Sequence, residues 1–164
     1  MNKNFEIIDD YLDKKTFDQI KYQIVYSETI NWNLSVGTSS AISNDGVYFT
    51  HKIYWQFKPL SQYFDIISPL IQKLNPFSIN RIKINFYPKT ENILQHDFHT
   101  DGNISHKGAI FYLNSNNGKT IFSDGTEIES IQNRMLLFDP TILHKSTTCT
   151  DDCVGRYNIN FNYY

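Results

Sequence analysis

The chain has 164 residues, 40% hydrophobic and 15% aromatic, with a formal net charge of -2 and a pI near 6.2. That size predicts one domain with a core of its own, and the charge balance argues against the broad basic field of a nucleic-acid binder. No stretch approaches the ~20 apolar residues of a membrane span and the first residues carry no secretory apolar run, so a soluble, cytoplasmic protein is expected. Cys149 and Cys153, the only cysteines, are expected to be reduced thiols.

Phe5 to Asp10 alternates weakly and reads as a short edge strand. Thr16 and Gln19 form a capping-box pattern around Phe17, Ile20 and Ile24, which predicts a helix over 17–27. Trp32, Leu34 and Val36 alternate with polar residues, and 47–57 is rich in β-branched and aromatic residues; a polar loop, 37–46, separates the two predicted strands. Apolar residues recur at helical spacing from Ser61 to Leu74, with Ser68-Pro69 marking a kink or a restart. Beyond Asn75-Pro76 eight short strands are predicted, at 79–87, 94–100, 109–113, 120–122, 127–131, 135–138, 143–148 and 155–163. Asp101-Gly102, Asn116-Asn117-Gly118, Asp124-Gly125 and Asp139-Pro140 supply turns between them. Helices first and strands after predict a mainly β, α+β fold, an antiparallel jelly roll of the cupin-like, double-stranded β-helix kind with N-terminal helices on one outer face.

The chemistry centres on His99-Thr100-Asp101. On an extended segment, residues two apart face the same way, so an imidazole and a carboxylate would meet as two thirds of a 2-His-1-carboxylate set that holds non-haem Fe(II) with positions left open. His144, after the apolar strand 135–138, is the candidate second histidine; His51, His96 and His106 have no comparable context. Arg156 lies in the last predicted strand, where Arg156, Asn158, Asn160 and Asn162 share one face and Tyr157, Ile159, Phe161 and Tyr163 the other. A guanidinium inside a barrel must meet an anion, because an unpaired buried charge is costly. The polar face is therefore expected to be a site wall.

In this order the pieces resemble the 2-oxoglutarate and Fe(II)-dependent dioxygenases, nearest the prolyl 4-hydroxylase-like branch. They are Asn85-Phe86-Tyr87-Pro88, His99-Thr100-Asp101, Phe111-Tyr112-Leu113-Asn114, Gly118-Lys119-Thr120-Ile121-Phe122, Asn133-Arg134-Met135-Leu136-Leu137-Phe138, His144 and Arg156. The resemblance implies a single dioxygenase domain over 1–164, with 1–75 as support and substrate lid and 76–164 as the jelly-roll core. It implies that His99, Asp101 and His144 bind the metal, that Arg156 and Tyr112 hold the far carboxylate of 2-oxoglutarate, and that Tyr87, Asn85 and Thr120 line its pocket. Arg134 is assigned to a turn. The cofactors implied are Fe(II), 2-oxoglutarate and O2, with ascorbate as an accessory reductant.

Two features depart from the prolyl hydroxylases: arginine stands at 156 where lysine is usual, and Lys89-Thr90-Glu91 replaces the glycine that follows the tyrosine. The resemblance implies hydroxylation of an unactivated C–H on a prolyl or other amino-acid residue or a small metabolite. The carboxylate at Asp101 favours hydroxylation over the halogenation of relatives with a small residue there. The alternatives are a nucleic-acid demethylase of the alkylation-repair type, whose second arginine would fall at Asn162, and a non-catalytic cupin-like binding domain. Small-molecule or peptide substrates are expected as partners, rather than nucleic acid or membrane. Trp32, Tyr48 and Trp55 are candidates for a substrate wall or for core.

Overall fold

The computed structural model describes residues 5–36, 46–102 and 104–164. In chain order the elements are β1 (Phe5–Ile8), α1 (Lys14–Val25), β2 (Asn33–Val36), β3 (Val47–Trp55), β4 (Lys58–Pro59), α2 (Tyr63–Ile66), α3 (Ser68–Leu74) and β5 (Ile79–Pro88). They continue with β6 (Lys107–Tyr112), β7 (Asn116–Phe122), β8 (Glu127–Ser130), β9 (Met135–Phe138), β10 (His144–Ser146) and β11 (Gly155–Tyr163). The larger sheet runs β1-β9-β6-β11-β5-β3-β2, with β4 paired to β3, and the smaller runs β10-β7-β8. The pairings in both sheets are antiparallel.

Periodicity explains which face is which. Phe17, Ile20 and Ile24 of α1, with Tyr63 and Leu70 of the short helices and Ile67 between them, cover the outer face of the larger sheet. They pack there with Ile53, Ile82, Ile84, Phe111, Ile159 and Phe161. Each such side chain stabilises the fold by about 1.5–3 kcal/mol through apolar burial. A second cluster, Ile110, Tyr112, Phe122, Ile128, Leu136 and Phe138, fills the space between the sheets. Tyr112 thus belongs to the interior while its sequence neighbour Phe111 belongs to the helix-covered face, as the period of two requires.

Several expectations are corrected. The first helix begins at Lys14 and is capped by Asp13, whose carboxylate accepts from Thr16 N at 3.0 Å; Thr16 lies inside the first turn. Residues 94–100 form no strand, only isolated bridges at Gln95–Thr147 and His99–His144. Leu34 and Val36 stay more than half and about half exposed, because β2 is an edge strand and turns that side outward. Pro69 starts α3 and so divides the helical segment in two. Most of the loop expected at 37–46 lies outside the described residues. Among them, no helix is long and apolar enough to cross a membrane.

Asn133 ties the N-terminal segment to the turn before β9. Its backbone adopts φ 62°, and its side chain accepts from Leu12 N at 3.0 Å and donates to Leu12 O at 2.8 Å. Asn133→Ala leaves buried groups unpaired and places a Cβ-bearing residue without side-chain compensation in the left-handed region, for a loss of about 3 kcal/mol. Asn133→Gly removes the strain component and loses about 2 kcal/mol. Urea midpoints of the two variants measure the difference.

Candidate functional site

His99 and His144 face each other through a bridge in which each backbone N–H donates to the other's carbonyl at 3.0 Å. This bridge brings together residues distant in the chain without a continuous strand on the His99 side. Each imidazole is then oriented by its own Nδ1, which donates to Asp97 O at 3.2 Å in His99 and to Ile142 O at 2.8 Å in His144. Because a carbonyl only accepts, Nδ1 carries a proton in both rings, which directs Nε2 of each toward Asp101 as the atom available to a metal. Both Nε2 atoms stand 4.0 Å from the Asp101 carboxylate, one to each oxygen. One ligand atom from each of the three residues lies within 4.8 Å of the other two. Among the described residues, this is the group of histidine, cysteine and acidic side chains able to hold a metal ion. Two imidazole nitrogens and one carboxylate suit a divalent transition metal.

Asp101 is held by two side chains. Arg81 NH2 lies 3.0 Å from Oδ1, and Asn160 Nδ2 donates to Oδ2 at 3.1 Å. Burial alone would raise the Asp101 pKa, but Arg81, Lys83, His144 and the Asn160 bond together hold it well below the ordinary carboxylate range. Burial and the neighbouring His144 lower the pKa of His99, which favours the neutral ring a metal requires. Arg81 is a site residue that the sequence reading missed. Its signal was present, because Arg81, Lys83, Asn85 and Tyr87 alternate along β5 opposite Asn162, Asn160, Asn158 and Arg156.

Arg156 lies on the same face of β11 as Asn160, roughly 13 Å along the strand. It is fully buried. Its Nε donates to Ser130 Oγ at 2.6 Å and NH2 to Thr120 Oγ1 at 2.9 Å, while Tyr87 and Tyr112 present their rings to the guanidinium at 5.2 and 5.6 Å. Tyr112 OH is 2.9 Å from Thr120 Oγ1. Among the described residues no carboxylate pairs with Arg156. A buried guanidinium among neutral hydroxyls and aromatic faces fits an incoming carboxylate. Gly118 gives the arginine its space: a Cβ there would lie 2.7 Å from Thr148 O and 2.8 Å from Arg156 Cδ.

The other sequence candidates divide between this pocket and the core. Asn85 donates to Asn158 Oδ1 at 2.9 Å, and Tyr48 stacks on Tyr87, whose hydroxyl burial pushes up to about 12. Trp32 packs on Phe86 and Tyr157, so it is core. Trp55 pairs in register with Arg81 at the far end of β3. His96 lies against Tyr48 and Tyr87, His51 against Tyr63, and neither joins the triad. Arg134 pairs with Asp9, away from the site. Cys149 and Cys153 are free thiols with sulfurs 3.5 Å apart.

No protein-family model and no curated protein matches the chain. Solved structures match its fold. A prolyl hydroxylase from Trichoplax adhaerens, in complex with a hypoxia inducible factor oxygen degradation domain peptide fragment, superposes with a TM-score of 0.72 at 16% identity, over 99% of this chain and 84% of that one. A Pseudomonas putida prolyl-4-hydroxylase gives 0.64 at 12%, over 99% and 93%. An oxidoreductase of the 2OG-Fe(II) oxygenase family from Burkholderia pseudomallei gives 0.69 at 10%, over 98% and 84%. At these identities the likeness establishes the fold: the chain has the double-stranded β-helix of the 2-oxoglutarate and Fe(II) oxygenases, including prolyl hydroxylases, as expected.

The depressed Asp101 pKa carries a signed prediction. A carboxyl whose folded value lies below its unfolded value of about 4 contributes stability above that pH and loses it as pH falls toward the folded value. In metal-free protein, the stability advantage of wild type over Asp101→Asn is therefore full above about pH 5 and shrinks on acidification below pH 4. Urea midpoints of both proteins across this range provide the check.

Proposed function

We propose that the protein is a non-haem Fe(II)- and 2-oxoglutarate-dependent dioxygenase that hydroxylates an unactivated C–H bond, with residues 1–164 acting as one catalytic domain. The observation that carries this reading is a His99-Asp101-His144 cluster on the same wall as a buried arginine that lacks a carboxylate partner. His99 and His144 would hold the metal through Nε2, and Asp101 through its carboxylate. When bound, iron with 2-oxoglutarate and oxygen supplies the oxidising chemistry, in which the co-substrate becomes succinate and carbon dioxide and one oxygen atom enters the C–H bond.

The chain's own part is orientation and exclusion of water. Arg156 would pair with the far carboxylate of 2-oxoglutarate, Tyr112 and Thr120 would add hydroxyl contacts, and Tyr87 and Asn85 would line the pocket. Thr120 is suited to a coupling role because its hydroxyl already touches both Tyr112 and Arg156. Arg81 and Asn160 each hold one oxygen of the Asp101 carboxylate, and the histidine nitrogens stand 4.0 Å from the same two oxygens. The substrate would be an amino-acid residue, prolyl included, or a small metabolite.

Anaerobic addition of Fe(II) and then 2-oxoglutarate to the apo-protein is expected to produce the weak visible charge-transfer band of the chelate, only when both are present. His144→Ala loses the band. Arg156→Ala keeps metal binding and weakens 2-oxoglutarate by at least about tenfold, through loss of a charge-assisted pair. Gly118→Ala shifts Arg156 and weakens 2-oxoglutarate in the same direction. Folded, metal-loaded protein that gives no band would overturn the proposal.

A further inference from the structure

Next to the metal triad, the wall of the site carries a concentration of positive charge that metal and co-substrate binding do not explain. Lys83 sits directly opposite Lys52 in the β5–β3 ladder, and Arg81 sits two residues along from Lys83 opposite Trp55. Opposite positions share a face, so these four side chains extend the polar wall formed by Asn160 and Asn162 on β11. Like charges directly opposite each other destabilise a sheet. The arrangement also runs against the chain's net charge of -2.

Local acids neutralise only part of it. Among the described residues Asp101 is the one carboxylate paired with Arg81, and neither Lys52 nor Lys83 forms an ion pair. Instead each ammonium lies over a ring, Lys52 5.3 Å from Trp55 and Lys83 5.9 Å from Tyr48. Arg81 Nε is buried without a hydrogen-bond partner. The buried Arg81 N–H without a partner, beside the part-buried Lys83 ammonium, is a costly structural solution that a well-matched anion would relieve, and Lys52 stands at the exposed edge of the same patch. Burial, followed by the neighbouring Arg81, holds Lys83 down to about 8, with Asp101 acting in the opposite direction.

We propose that Arg81, Lys83 and Lys52 form a subsite for an anionic group of the substrate, a carboxylate or a phosphate, with Trp55 beside it. This rests on the dioxygenase reading and narrows its substrate class. Arg81 touches the metal-binding carboxylate, so the anion is received next to the reacting centre, and the oxidised C–H lies within a few bonds of it. The subsite is a short patch that runs from part-buried Arg81 and Lys83 to exposed Lys52; a nucleic-acid backbone needs a longer basic track.

The test is calorimetric titration of anaerobic Fe(II)·2-oxoglutarate protein whose chelate band has been recorded. The probes are L-aspartate against L-asparagine and glycerol 3-phosphate against glycerol, with a single-stranded oligonucleotide as comparison. At least one anion should bind about tenfold or more tightly than its neutral counterpart and weaken with added salt. Which pair discriminates identifies the carboxylate or phosphate source. The preference should weaken in Lys52→Met with the band unchanged, and be kept in Lys83→Arg, which retains the charge beside Asp101. Equal binding within both pairs, no binding of either anion, or preferential binding of the oligonucleotide, with the band intact, would overturn the anionic subsite. Absence of the band would instead overturn the dioxygenase reading.

Discussion

A nine-residue strand buried on both faces imposes the constraint from which the site follows. Each residue of β11 is buried, yet every second side chain is polar. The apolar alternates, Tyr157, Ile159, Phe161 and Tyr163, are covered by the helices and the larger sheet's outer core. Arg156, Asn158, Asn160 and Asn162 cannot be solvated and must find partners inside. Thr120 and Ser130 of the smaller sheet meet Arg156, Asn85 meets Asn158, and Asp101 meets Asn160. With its amide oxygen turned toward β5, Asn162 accepts from Arg81 NH2 at 2.8 Å. The two ends of the strand's polar face thereby define an arginine-lined end and a metal-binding end.

The parts of this arrangement governed by local pattern were legible in the sequence. The alternation along β11 separated a polar face from an apolar one, and the strand occupies the expected 155–163 range. The break at Ser68-Pro69 was legible because proline restricts its own φ and removes a donor. The His99 segment was misread as a strand because its apolar and aromatic residues have strand propensity. Its geometry is instead set by non-local bonds, including Asp101 N to Pro140 O and the paired bonds with His144. Arg81 was overlooked for a related reason: its importance arises from the β5–β11 register, which appears only after distant strands are paired. Asp13 outcompeted Thr16 as the helix cap through a side-chain choice that the capping-box pattern alone left undetermined.

Electrostatics divides the wall into two unlike regions. At the Arg156 end, one guanidinium is surrounded by neutral donors, acceptors and rings, an environment suited to one carboxylate. At the Arg81 end stand three cations, and among the described residues the acid that pairs with them is Asp101, on Arg81, which the proposed metal would also draw upon. Co-substrate and substrate anions would thus be received at opposite ends of the same strand face, which gives the two ligands distinct electrostatic addresses.

The central claim is that one wall orders metal and co-substrate together, and the measurement that tests it most directly is a crystal structure of the protein grown anaerobically with Fe(II) and 2-oxoglutarate. The account predicts an anomalous iron peak bonded to Nε2 of His99, Nε2 of His144 and the Asp101 carboxylate, with the far carboxylate of 2-oxoglutarate paired to the Arg156 guanidinium. Iron bound elsewhere, or 2-oxoglutarate ordered away from Arg156, would contradict it.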